Sequence, residues 1–138
     1  MNYTKQIFKA LLLVCIISFT SCESNDDTMQ EDMSENTIIG RWNPIGFETT
    51  VLYEFTQSLR HTIYSTDGTF GALDTAIPNP NTWVFEGDEL VIDLNFGNFL
   101  RTELNFKCDG NVVEFVDAEG TVGIILFREG YDYASCTE

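Results

Sequence analysis

Positive charge is what this chain has least of: 7 lysines and arginines stand against 22 aspartates and glutamates in 138 residues, a formal net charge of −15. Affinity for nucleic acid comes from Lys and Arg neutralising phosphates, so nucleic acid is excluded as a partner. An acidic surface of this kind confers solubility and repels anionic lipid headgroups. Histidine is scarcer still, and any Ser/His or Cys/His nucleophilic system has to run through the single His61. No Gly-x-Ser-x-Gly turn accompanies it, and the glycines are accounted for by turns rather than by a phosphate-cradling loop. Asp88, Glu89 and Asp93 gather acids around one hairpin without the Asp-x-Asp-x-Asp-Gly spacing of a calcium loop. These absences point away from an enzyme and from a resident metal or cofactor.

Long apolar runs are missing too. The N-terminal one, residues 10–19, falls short of the roughly 20 residues that a membrane-spanning helix requires. Lys5 and Lys9 precede it and small residues follow, which are the three parts of a cleavable export signal. Removal of residues 1–21 leaves 5 basic residues against 22 acidic ones, a net charge of −17. An ordinary secretory signal with an unmodified Cys22 satisfies the same pattern. The stretch Ser18-Phe19-Thr20-Ser21-Cys22, however, resembles the lipobox of bacterial lipoproteins, with small Ser21 before the cysteine. That resemblance implies acylation of Cys22, cleavage in front of it and attachment to the outer membrane. Residues 22–36 then form an acidic flexible tether: only Met29 and Met33 are apolar, too little to bury. Its Ser24-Asn25-Asp26-Asp27 run resembles the acidic signals that send lipoproteins of the Bacteroidetes type to the cell surface.

Of the 4 cysteines, Cys15 falls in the signal and Cys22 at the anchor, leaving Cys108 and Cys136. An oxidising compartment permits a disulfide between them. Free thiols or a metal site are the alternatives, and two cysteines with one histidine make a poor zinc set.

Residues 37–138 are about the size of one domain. Short alternating apolar runs predict strands at 38–42, 51–56, 59–65, 69–73, 82–86, 89–94, 99–107, 112–116 and 121–128. Asp67-Gly68, Gly87-Asp88, Gly97-Asn98, Asp109-Gly110 and Glu119-Gly120 supply the turns between them. Pro78 and Pro80, two of only 3 prolines, place a loop at 77–81, because proline cannot donate within a central strand. An all-β domain follows. Eight or nine antiparallel strands fit a closed up-and-down barrel, which abolishes sheet edges, or a β-sandwich; the lack of long crossovers favours the barrel. Alternation assigns the inward positions to Val51, Tyr53 and Phe55, to Leu59, His61 and Ile63, to Trp83 and Phe85, to Leu90, Ile92 and Leu94, and to Leu100, Leu104 and Phe106.

Ile39-Gly40-Arg41-Trp42 resembles the Gly-x-Trp motif that opens lipocalin domains. With Tyr53-Glu54-Phe55, Asp67-Gly68-Thr69-Phe70, the segment 83–90 and Arg128 at the end of the last strand, the domain resembles the lipocalin-like domains of Bacteroidetes lipoproteins. The resemblance implies a small barrel of about eight strands, closed at one end by Trp42 with Arg128 laid across it, and capable of holding a small hydrophobic ligand. The chain departs from lipocalins in its short length and in the lack of a helix after the barrel. A barrel of this size either fills with side chains or holds one small molecule. If it holds one, Tyr53, His61, Tyr64 and Trp83 are the candidate cavity residues. If it is solid, exposed loops contacting a protein or glycan are the alternative.

Overall fold

The computed structural model describes residues 37–137. The segment expected to be an export signal, Cys22 and the stretch expected to be a tether lie outside the described residues. Eight antiparallel strands follow one another: β1 (Gly40–Pro44), β2 (Val51–Phe55), β3 (Leu59–Tyr64), β4 (Asn81–Glu86), β5 (Glu89–Asp93), β6 (Phe99–Lys107), β7 (Val112–Val116) and β8 (Val122–Arg128). Each pairs with the next and β8 pairs with β1, so the sheet is a closed up-and-down barrel. The predicted strand at 69–73 does not form. That stretch instead belongs to the longest connection, where Leu73–Thr75 makes a single 3₁₀ turn against β3. Without a hydrogen-bonding neighbour, alternation alone does not make a strand.

Because residues opposite one another in a ladder share a face, the register defines the interior. Trp42, Phe55, Trp83, Leu90, Ile92, Val113, Phe115 and Leu126 are buried there, with Tyr53, Leu100, Leu104, Phe106 and Ile124 packed against them. Each fully buried side chain of this kind stabilises by about 1.5–3 kcal/mol, and the Phe55–Trp83 and Trp83–Phe85 pairs meet edge to face. Trp83 is tied down by its indole N–H, which donates to the Thr56 carbonyl at 3.1 Å.

The β3 assignment is reversed. Phe55 pairs with Arg60 and Tyr53 with Thr62, so Arg60, Thr62 and Tyr64 take the inward positions while Leu59, His61 and Ile63 face outward. Ile63 is nevertheless completely buried, as is its partner Leu52, because a second layer covers this outer face. The connection 65–80 folds over it: Arg41 donates to the Gly71 carbonyl and the Ile77 N–H to the Thr62 carbonyl. Leu94 also departs from its inward assignment, lying past the end of β5 and exposed.

The lower end holds both termini of the domain. Trp42 is fully buried and its indole N–H donates to the Ile38 carbonyl at 2.7 Å. Arg128, its register partner on β8, lays its guanidinium 3.9 Å from the centre of the Trp42 ring. The same guanidinium donates to the carbonyls of Ile39 at 2.7 Å and Thr37 at 2.8 Å. Three successive carbonyls are thus held by one indole and one arginine. Burial shifts the Arg128 pKa downward. Gly40 passes under this contact at φ +126°, and a Cβ there would fall on Arg128 Nη1.

A second outer patch lies under the C-terminus. Val112 and Phe127, paired on β7 and β8, are buried on the outside, where the ring of Tyr133 sits 5.7 Å from that of Phe127. The Cys108–Cys136 disulfide pins this strap to the β6–β7 turn.

Two outcomes test these packing assignments. Gly40→Ala combines a disfavoured φ with a clash, and should cost about 2 kcal/mol or more, lowering Tm by on the order of 10 °C. An unchanged melt would show that Gly40 is not constrained. Cys136→Ser should cost about 3–4 kcal/mol in chemical denaturation and raise binding of a dye specific for exposed apolar surface as Phe127 is uncovered.

Candidate functional site

The two ends of the barrel differ. Connections β1–β2, β3–β4, β5–β6 and β7–β8 meet at the upper end, opposite Trp42. There the β1–β2 turn, closed by the Phe47 N–H on the Pro44 carbonyl and joined to β8 by the Ile45 N–H on the Ile125 carbonyl, borders a cleft of about 200 Å³. Pro44, Tyr53 and Ile124 line it from inward positions, with Ile45, Phe47 and Ile125 around them. Its volume is below the roughly 300–1,000 Å³ of sites for drug-sized molecules, so it suits a small ligand or a short apolar tail. Phe47 is 59% exposed and Phe96, on the β5–β6 turn of the same end, is 100% exposed. Ile45 and Val122, at the same end, are also exposed, so the upper rim carries apolar side chains facing solvent.

Arg60 does not line the cleft and is connected to it through Tyr53. Its register partners are Phe55 and Asn81, which direct it into the barrel. Its guanidinium lies 4.9 Å from the centre of the Tyr53 ring, a cation–π contact, and Nη2 donates to Asn81 Oδ1 at 2.7 Å. Asn81 is itself fixed by donating Nδ2 to the Asp93 carbonyl at 2.7 Å. Arg60 Nε is buried without an acceptor. Among the described residues no carboxylate pairs with Arg60. Burial shifts its pKa downward, with Tyr53 partly offsetting the effect.

The four cavity residues expected from the sequence do not converge. Tyr53 lines the upper cleft. Trp83 is part of the packed core. Tyr64 is 61% exposed at the end of β3. His61 faces outward opposite Glu54, since the β2–β3 register puts odd-numbered residues of β3 on the outside. Sequence reasoning missed Arg60, Ile124 and the β1–β2 turn. Arg60 was detectable in principle: the turn 56–59 fixes the parity between β2 and β3, and an inward Phe55 requires an inward Arg60.

A second cleft, of about 220 Å³, runs over the outer face of β4, β5 and β6. Val84, Val91 and Phe99 make its apolar floor, and Arg101, paired with Glu86 and Glu89 at 2.8 Å, borders it. Val91 is buried beneath its neighbours although it points away from the barrel core. No family model, curated protein or solved structure matches this chain.

Proposed function

We propose that this protein is a lipid-anchored, exported lipocalin-like barrel that binds a small hydrophobic molecule in the cleft at its upper mouth and performs no catalysis. One observation carries the binding reading: the cleft is lined by Pro44, Ile45, Phe47, Tyr53, Ile124 and Ile125, with no acidic residue in its lining although acids dominate the chain. Apolar groups left in water at a rim cost free energy that a hydrophobic ligand or apolar phase recovers. The anchor reading rests on the Ser21-Cys22 junction and the acidic stretch behind it. Several acyl chains at Cys22 give stable attachment where one alone is marginal.

A second reading has its own support. The outer cleft over Val91 combines an apolar floor with the charged groups Arg101, Glu86 and Asp93, a composition that suits docking of a protein or glycan partner.

The binding reading predicts that the purified protein binds 1-octanol by calorimetry and that Ile124→Trp, which fills the cleft from a partly buried position, weakens binding about tenfold or more, a change of about 1.4 kcal/mol or more. Equal affinity in the two proteins would contradict it. For the anchor, cells fed radiolabelled palmitate should label the wild-type protein and not Cys22→Ser, which should also leave the membrane fraction. Label retained in Cys22→Ser would remove the lipoprotein assignment.

A further inference from the structure

We propose that the molecule taken by the upper cleft is a small carboxylic acid, its apolar part lying in the cleft and its carboxylate held by Arg60. This rests on the reading of the cleft as a ligand site and assigns the chemistry of what enters it.

The other lysines and arginines described in the domain all have partners. Arg41 reaches Glu54 at 2.8 Å and Glu129 at 2.6 Å. Arg101 reaches Glu86 and Glu89, and Lys107 reaches Glu114. Arg128 holds backbone carbonyls. Arg60 alone among the described lysines and arginines meets neither a carboxylate nor a backbone carbonyl. The chain has 22 acidic residues to draw on, yet the inward neighbours of this cation, Phe55, Tyr53, Thr62 and Asn81, include no carboxylate. Taking a cation out of water without a counter-charge is expensive, and a buried N–H without an acceptor adds to that cost. A carboxylate arriving from outside removes both penalties. Asn81 holds Nη2 and the Tyr53 ring lies against the guanidinium, while Nε is left unmatched. A planar fork of donors suits a carboxylate better than a round anion. Tyr53 belongs both to the cleft lining and to the Arg60 contact, so one side chain joins the apolar compartment to the cationic one. The small volume of the cleft favours a compact headgroup and a short tail.

The test compares octanoate with 1-octanol, which share a chain and differ in the headgroup, by calorimetry at neutral pH. The expected result is that octanoate binds about tenfold tighter or more, the return of one charge-assisted pair. Arg60→Met should abolish that preference and Arg60→Lys should retain part of it, because a point charge replaces the fork. A second measurement needs no variant: the carboxyl resonance of bound ¹³C-labelled octanoate should titrate at lower pH than that of the free acid, with binding lost as pH falls through the bound pKa. Octanol bound as tightly as octanoate, or an octanoate preference that survives Arg60→Met, overturns the assignment of the carboxylate while leaving the cleft as a ligand site. Binding of neither compound overturns both.

Discussion

Closure of the sheet depends on how its first and last strands are fastened, and at the lower end of that seam one arginine ties them together. Arg128 at the end of β8 stacks on Trp42 of β1 and holds the carbonyls of Thr37 and Ile39. Only three pairs join β1 to β8, Trp42 with Arg128, Asn43 with Phe127 and Pro44 with Leu126. An open sheet of this length would leave two edges of unpaired backbone groups. The contact therefore does more than plug the bottom. It joins the outermost strands where their ladder is short, and it brings the chain into the barrel at a fixed place. Gly40 permits the approach because any larger residue would occupy the position of the guanidinium.

From this fixed end the interior fills upward. Trp42, Phe55, Trp83 and Phe115 occupy the lower and middle levels. Toward the upper mouth the packing passes to the half-buried Tyr53 and Ile124 and to the cleft beside the β1–β2 turn. The outer surface is covered in two places, by the 65–80 connection over Leu52 and Ile63 and by the disulfide-bound C-terminal strap over Val112 and Phe127. A barrel short enough to have little core of its own thus acquires two further apolar clusters on its outside.

Those outer clusters decide what was legible in the sequence. The all-β class, the turns at glycine and eight of the nine candidate strands followed from local pattern, since hairpin after hairpin requires no distant information. The Cys108–Cys136 disulfide followed from elimination. The faces of β3 did not follow, because Leu59, His61 and Ile63 alternate convincingly while Ile63 owes its apolar character to the connection lying over it. That cover is a tertiary feature invisible to strand periodicity, and the error displaced Arg60 from the interior and put His61 in its place. The segment 69–73 misled for the opposite reason: it has the composition of a strand but no edge to pair with.

The proposed function requires one sealed end and one receiving end. Two-dimensional NMR of the uniformly ¹⁵N-labelled protein titrated with octanoate tests it most directly. The amides of Ile45, Phe47, Tyr53, Ile124 and Ile125 and the Arg60 Nε–H should shift, while the Trp42 indole N–H, bonded to the Ile38 carbonyl, stays in place. Shifts confined to Val84, Val91, Phe99 and Arg101 on the outer face, or a displaced Trp42 indole signal, would contradict it.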